Sequence, residues 1–188
     1  MKLFLIAAMV IAAVGTADRA AGQGQDQYAF GLSGGAAIAT ADLHDHHDSG
    51  FNGTLSFGIG GVDSPVGIRF DGMYNRFGDR EGVAGTLDQG EARIAGLTGN
   101  LVFNVYGTHS RVYGITGVGG YSYSPTGAGT KGTNDFGVNA GLGLWLPFVN
   151  GFVEARFHHF YRALPDAATG TKGKKSARFY PITFGILY

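Results

Sequence analysis

From Tyr28 onward the chain alternates, with bulky apolar residues at every second position and small or polar residues between them. Strict alternation marks a β-strand with two unlike faces, because successive side chains leave a strand on opposite sides. The first such segment sets Tyr28, Phe30, Leu32, Gly34, Ala36 and Ile38 against Ala29, Gly31, Ser33, Gly35 and Ala37. A second sets Phe51, Leu55, Phe57 and Ile59 against Asn52, Thr54 and Ser56. A third sets Val66, Ile68, Phe70 and Tyr74 against Gly67, Arg69, Asp71 and Asn75. The fourth opposes Leu97, Leu101, Phe103 and Val105 to Thr98, Asn100 and Asn104. In the fifth the apolar set is Tyr113, Ile115, Tyr121 and Tyr123, against Gly114, Thr116 and Gly120. The sixth opposes Phe136, Val138, Ala140, Leu142 and Leu144 to Gly137, Asn139, Gly141 and Gly143. The seventh opposes Val153, Ala155, Phe157 and Tyr161 to Glu154, Arg156 and His158. The last opposes Tyr180, Ile182, Phe184, Ile186 and Tyr188 to Thr183 and Gly185. Each of these strands has roughly ten residues or more, enough to cross a bilayer at a tilt.

The connections alternate as well. Residues 41–52, 78–90, 124–133 and 163–176 are long and polar, whereas 62–65, 106–110 and 147–150 are short. This pattern predicts an all-β fold, an eight-stranded antiparallel up-and-down β-barrel with unequal ends. Both termini of the barrel then fall at the short-turn end.

Alternation does not say which face points outward. A soluble lipid-binding barrel buries its apolar face and wets the other, whereas an outer-membrane barrel does the reverse. Three features favour the membrane. The small and polar set holds few Lys or Glu. Aromatic residues sit near strand ends, at Tyr28, Phe51, Tyr74, Tyr113, Tyr161 and Tyr188, as in an interfacial girdle. The loops are long at one end only. Closure is the physical requirement, since in lipid every backbone polar group must be paired within the protein.

Composition narrows the choice further. Of 188 residues 34 are Gly, well over twice the usual share of about 7%. With 14 basic and 14 acidic residues the chain is no nucleic-acid binder of the basic type. It has no Cys, which removes disulfides, thiolate metal sites and Cys nucleophiles. At the N-terminus Lys2 precedes an uncharged apolar run from Leu3 to Gly15, followed by small residues. That run is shorter than the roughly 20 residues of a spanning helix and has the length of an export signal. Residues 1–22 are expected to be a cleaved signal peptide, with cleavage after Ala21 or Gly22, and 23–188 the barrel domain.

Two segments carry a family resemblance. FVEARFHHF (152–160) and YPITFGILY (180–188) resemble the last two strands of the small bacterial outer-membrane β-barrels. That eight-stranded group includes the OmpA transmembrane domain, OmpX and the opacity-type proteins. The resemblance covers about 28–188, and for OmpA it covers the barrel only. It implies location in the outer membrane of a Gram-negative bacterium, among outer-membrane lipid and lipopolysaccharide. It also implies that the C-terminal ending, with Phe184, Gly185 and the terminal aromatic Tyr188, is read by the barrel-assembly machinery.

Candidate chemistry is sparse. The loop LHDHHD brings His44, His46 and His47 beside Asp45 and Asp48, residue types that bind Zn or Ni. No fixed ligand spacing is present and a loop is poorly preorganised, so an ordinary solvated loop, without metal or cofactor, is the expectation. Glu154, His158 and His159 raise the question of a lipid A-modifying enzyme. Such a deacylase needs a Ser beside the His, and none follows until Ser176. GIGG (58–61) and GVGG (117–120) lie inside strand patterns with no helix after them, so they lack the means to cradle phosphate; their glycines make room in a narrow lumen. The basic run KGKK (172–175) is expected to be a solvated tip of the last long loop, with contact to lipopolysaccharide phosphates as the alternative.

The polar face predicts an interior network. In an eight-strand ring the third and seventh strands face each other, and both run upward from a short turn. Arg69 lies four residues past Pro65 and Glu154 four past Asn150, while Asp71 and Arg156 lie six past the same points. Opposite charges therefore meet at each level, Arg69 with Glu154 and Asp71 with Arg156, with Asn100 and Asn139 nearby. Such a network would hold the barrel shut and plug it. The expected function is that of a closed, non-enzymatic outer-membrane protein that supports envelope integrity or surface adhesion through its loops, with the surface or host ligand unspecified. A soluble periplasmic lipid-binding barrel and a lipid A-modifying enzyme are the alternatives.

Overall fold

The structure, a computed structural model, describes residues 28–40, 43–44, 47–60, 65–79, 91–106, 111–126, 132–165 and 172–187, with backbone alone at 106, 111, 161–165 and 172–175. Eight strands run in order: β1 (Tyr28–Thr40), β2 (His47–Ile59), β3 (Val66–Asp79), β4 (Ala92–Tyr106), β5 (Arg111–Pro125), β6 (Thr133–Leu146), β7 (Gly151–Pro165) and β8 (Lys172–Leu187). Each pairs antiparallel with its sequence neighbours, and β1 pairs with β8 from Gly31↔Leu187 to Thr40↔Arg178, which closes the barrel. Closure leaves no edge strand, so the backbone groups of the wall pair internally.

The short β6–β7 turn shows how local sequence sets the ends. Pro147–Val149 forms one 3-10 turn, and Asn150 then takes a left-handed conformation at φ 48, ψ 40. Asn tolerates that region better than most residues. The Asn150 carbonyl accepts from the Leu187 N–H at 2.8 Å, which ties the turn to the end of β8.

The two faces of the wall are inverted relative to a water-soluble protein. Leu97, Phe136 and Leu142 are each more than 60% exposed. Around them Leu32, Phe51, Leu55, Ile68, Phe70, Leu101, Phe103, Val138, Ile182 and Phe184 form an exposed apolar belt. Arg69, Asp71, Glu154 and Arg156 are instead buried inside. Thr40, Arg76, Arg93, Asn134 and Arg178 end the belt toward the long loops, on the outward phase of their strands.

Three expectations need correction. The fifth strand has the opposite phase: Tyr113, Ile115, Tyr121 and Tyr123 are buried in the lumen, while Val112 and Val118 face outward. Tyr113 is therefore no girdle residue, whereas Tyr28, Phe51 and Tyr74 are exposed. The cause is volume, since a narrow barrel fills its interior with side chains and β5 supplies the largest of them. Facing glycines make the space: a Cβ at Gly143 would lie 2.1 Å from the Tyr113 ring, and one at Gly185 2.5 Å from Phe152.

The first and last long loops are also shorter than expected. β2 begins at His47, and β7 and β8 extend to Pro165 and from Lys172. KGKK thus lies in β8, its backbone paired with Arg162 to Pro165 of β7. The register of β2 against β3 shifts between Asp48 and Gly50. This bulge reverses the phase above it, as an extra residue does, and turns His47 inward. Tyr161, Tyr188 and the expected signal peptide lie outside the described side chains.

Candidate functional site

The interior divides into three layers. At the short-turn end Val102, Tyr113, Ile115 and Phe152 form a buried apolar cluster, packed by Trp145 and Leu187. Tyr113 and Trp145 lie 4.7 Å apart between ring centroids. At the long-loop end a larger cluster gathers Met73, Phe77, Ile94, Tyr121, Tyr123, Phe160 and Phe179, with Leu43 from the first loop folded in on top.

Between these layers sit the four charges. Arg69 Nη2 donates to Glu154 Oε2 at 2.6 Å. Arg156 Nη1 donates to Asp71 Oδ2 at 2.7 Å. Each arginine also reaches the acid of the other pair: Arg69 Nε donates to Asp71 at 3.2 Å, and Arg156 Nε to Glu154 Oε1 at 2.9 Å. Asn100 Nδ2 donates to Asp71 Oδ2 at 2.9 Å, and Asn139 Nδ2 to Asn100 Oδ1 at 2.9 Å. The structure thus brings all six expected interior residues into one hydrogen-bonded group. Two cations and two anions leave it formally neutral, and a buried charge persists only when paired in this way.

Sequence reasoning missed three members, of which Thr98 accepts from Asn100 Nδ2 at 3.1 Å. Ser56 Oγ donates to Asp71 Oδ1 at 2.6 Å, and Tyr113 Oη donates to Glu154 Oε2 at 2.8 Å. The signal for Tyr113 was Gly143, its register partner on β6, a gap in the wall that only a neighbouring large side chain would use. Arg69 also lies over Phe152, 5.7 Å from the ring centroid. Beside the network a residual cavity of about 10 Å³ has room for about one water molecule.

The other candidates are dispersed. His47 Nε2 and Tyr123 Oη are hydrogen-bonded at 3.0 Å inside the barrel, His44 is exposed, and His46 lies outside the described residues. Among the described residues no three His or carboxylate side chains gather as a metal site. His158 Nδ1 and Tyr121 Oη are hydrogen-bonded at 2.9 Å, and the imidazole stacks on Phe179 at 4.8 Å; His159 is on the outward phase. Phe184 faces outward, 51% exposed, and Gly185 faces inward over Phe152.

No protein-family profile matches the sequence, and no curated protein sequence does. Solved structures do match. The attachment invasion locus protein Ail of Yersinia pestis is similar at 20% identity and TM-score 0.52, over 86% of this chain and 99% of that one. Neisserial surface protein A is similar at 16% identity and TM-score 0.53, over 88% and 98%. The outer membrane protein OprG of Pseudomonas aeruginosa is similar at 16% identity and TM-score 0.52, over 88% and 98%. The chain therefore has the fold of the small eight-stranded outer-membrane β-barrels, and the wall it presents is that of a membrane-spanning one.

Proposed function

We propose that this chain is an integral outer-membrane protein of a Gram-negative bacterium, closed across its lumen and acting without catalysis. Its role is to support envelope integrity or surface adhesion through the loops at its long end. The observation that carries the reading is the inversion of the wall, with a continuous apolar belt outside and paired charges inside. Such a belt is favoured in hydrocarbon and would aggregate in water, which sets the soluble periplasmic barrel aside. The buried clusters above and below the charges support a lumen without an open water path. His158 is engaged by Tyr121 and Phe179, an arrangement that supports a structural rather than a deacylase role. A surface role follows the similar protein described as an attachment invasion locus protein.

The test is fractionation with function. The protein should pellet with outer membranes, resist alkaline extraction and migrate heat-modifiably on gels. Planar bilayers holding the purified protein should show no steady conductance, and a deletion strain should keep its lipid A mass spectrum while its adherence or envelope resistance changes. Recovery in the soluble periplasm, steady conductance or an altered lipid A would each contradict the reading.

A further inference from the structure

Arg76 on β3 and Arg93 on β4 are register partners on the outward phase of the wall. They stand one step above the apolar belt, at its long-loop boundary. Below them on their own strands the outward side chains are Tyr74 on β3 and Ala95 and Leu97 on β4, while Phe51 on β2 is the register partner of Arg76 and stands beside it; the Phe51 and Tyr74 rings are 6.2 Å apart. The two arginines are 45% and 49% exposed. One carboxylate serves both. Glu91, just before β4, accepts a fork from Arg76, with Nε donating at 2.9 Å and Nη2 closer still. Arg93 Nη2 lies 3.9 Å from the same carboxylate, beyond hydrogen-bond reach. The arrangement holds Arg76 in place, keeps the Glu91 carboxyl below its ordinary range, and leaves the trio with one net positive charge.

We propose that Arg76 and Arg93 form a binding site for a phosphate on the headgroup of an outer-leaflet lipid. Guanidinium groups match phosphate oxygens with paired N–H donors. The position selects a lipid rather than a soluble anion, since a ligand here has its charge at the boundary and its acyl chains against Phe51, Tyr74 and Leu97. Glu91 sets the orientation of Arg76 and competes with the phosphate for both cations. Two headgroup-level arginines together strengthen retention of such a lipid roughly 30-fold. This rests on the membrane reading above, and its test separates the two.

The purified full chain is placed in phosphatidylcholine nanodiscs containing a few per cent of diphosphoryl lipid A, or of the same lipid with its phosphates removed. Retained lipid is read by native mass spectrometry. The unaltered protein should retain the phosphorylated lipid preferentially. Arg76→Gln with Arg93→Gln should abolish the preference, Glu91→Gln should strengthen it, and Lys131→Gln, which removes one positive charge from another loop, should leave it unchanged. Equal retention by the arginine variant, or an equal loss with Lys131→Gln, would overturn the site. Complete displacement by millimolar inorganic phosphate would overturn the lipid as its occupant. Heat-modifiable migration confirms that each variant is folded; failure of the unaltered chain to enter nanodiscs would instead overturn the membrane reading.

Discussion

Arg69 and Glu154 meet at 2.6 Å across the lumen, 85 residues apart in sequence. β3 and β7 share no wall contact in the ring, so this bridge and its neighbour between Asp71 and Arg156 tie opposite walls together. Removing one member leaves a buried charge without its partner, at a cost of about 3–5 kcal/mol. Arg69→Met and Glu154→Gln should therefore each lower stability, and the double variant should lose clearly less than their sum. Trp145 is the single tryptophan and abuts Tyr113 below the network, so its fluorescence reports unfolding in detergent. Coupling indistinguishable from zero in this cycle, and in the one for Asp71 with Arg156, would remove the network as a stabilising unit.

The Tyr113 ring occupies the gap left by Gly143. Gly143→Ala should thus be overpacked, costing roughly 1–3 kcal/mol, whereas Gly114→Ala, whose Cβ meets nothing within 4 Å, should be tolerated. Parallel thermal unfolding of the two variants measures this. Equal midpoints would show that Tyr113 does not depend on the gap.

Most of the wall was legible from period-two alternation, because strand register and facing are dictated by which face each residue must show. The pairing of Arg69 with Glu154 and of Asp71 with Arg156 was legible too, from counting residues up from two short turns. β5 was not, since Tyr113, Ile115, Tyr121 and Tyr123 look lipid-facing until the interior volume above and below the charges is known. That volume is a property of the closed ring and of glycines on other strands. His47 escaped for a different reason: the bulge after Asp48 shifts the phase by one residue, and nothing in DHHDSG announces it. Leu43 sits in a loop by sequence and caps the upper cluster by structure.

The long-loop end should be extracellular. An epitope at Gly127, between β5 and β6, should be stained on intact cells, and one at Ser64, between β2 and β3, only after permeabilisation. The reverse pattern would turn the barrel over, and with it the lipid site at Arg76 and Arg93.

Phe184 faces outward near the C-terminal end of the closing β8 strand, between Ile182 and Ile186 of its outward set. Phe184→Asp places a carboxylate against hydrocarbon, where the worst charges cost up to about 2–4 kcal/mol and Asp somewhat less. Deleting Tyr188 removes the terminal aromatic that resembles the assembly signal. Both changes should lower the amount of heat-modifiable protein in the outer membrane, as read by immunoblot. Normal levels of the first variant would place Phe184 away from lipid, and normal levels of the second would release Tyr188 from any part in assembly.

The central claim is the inverted wall, and a nitroxide scan along β4 and β5 in phosphatidylcholine vesicles tests it most directly. Labels at Leu97, Leu101 and Phe103 should be reached by oxygen dissolved in the bilayer and shielded from a water-soluble nickel chelate. Those at Thr98, Asn100 and Val102 should be reached by neither. On β5 the oxygen-accessible set should be Val112, Gly114, Thr116, Val118 and Gly120, with Tyr113, Ile115 and Tyr121 shielded. Nickel access at Leu97, Leu101 and Phe103 would contradict the account, as would oxygen maxima at Tyr113 and Ile115.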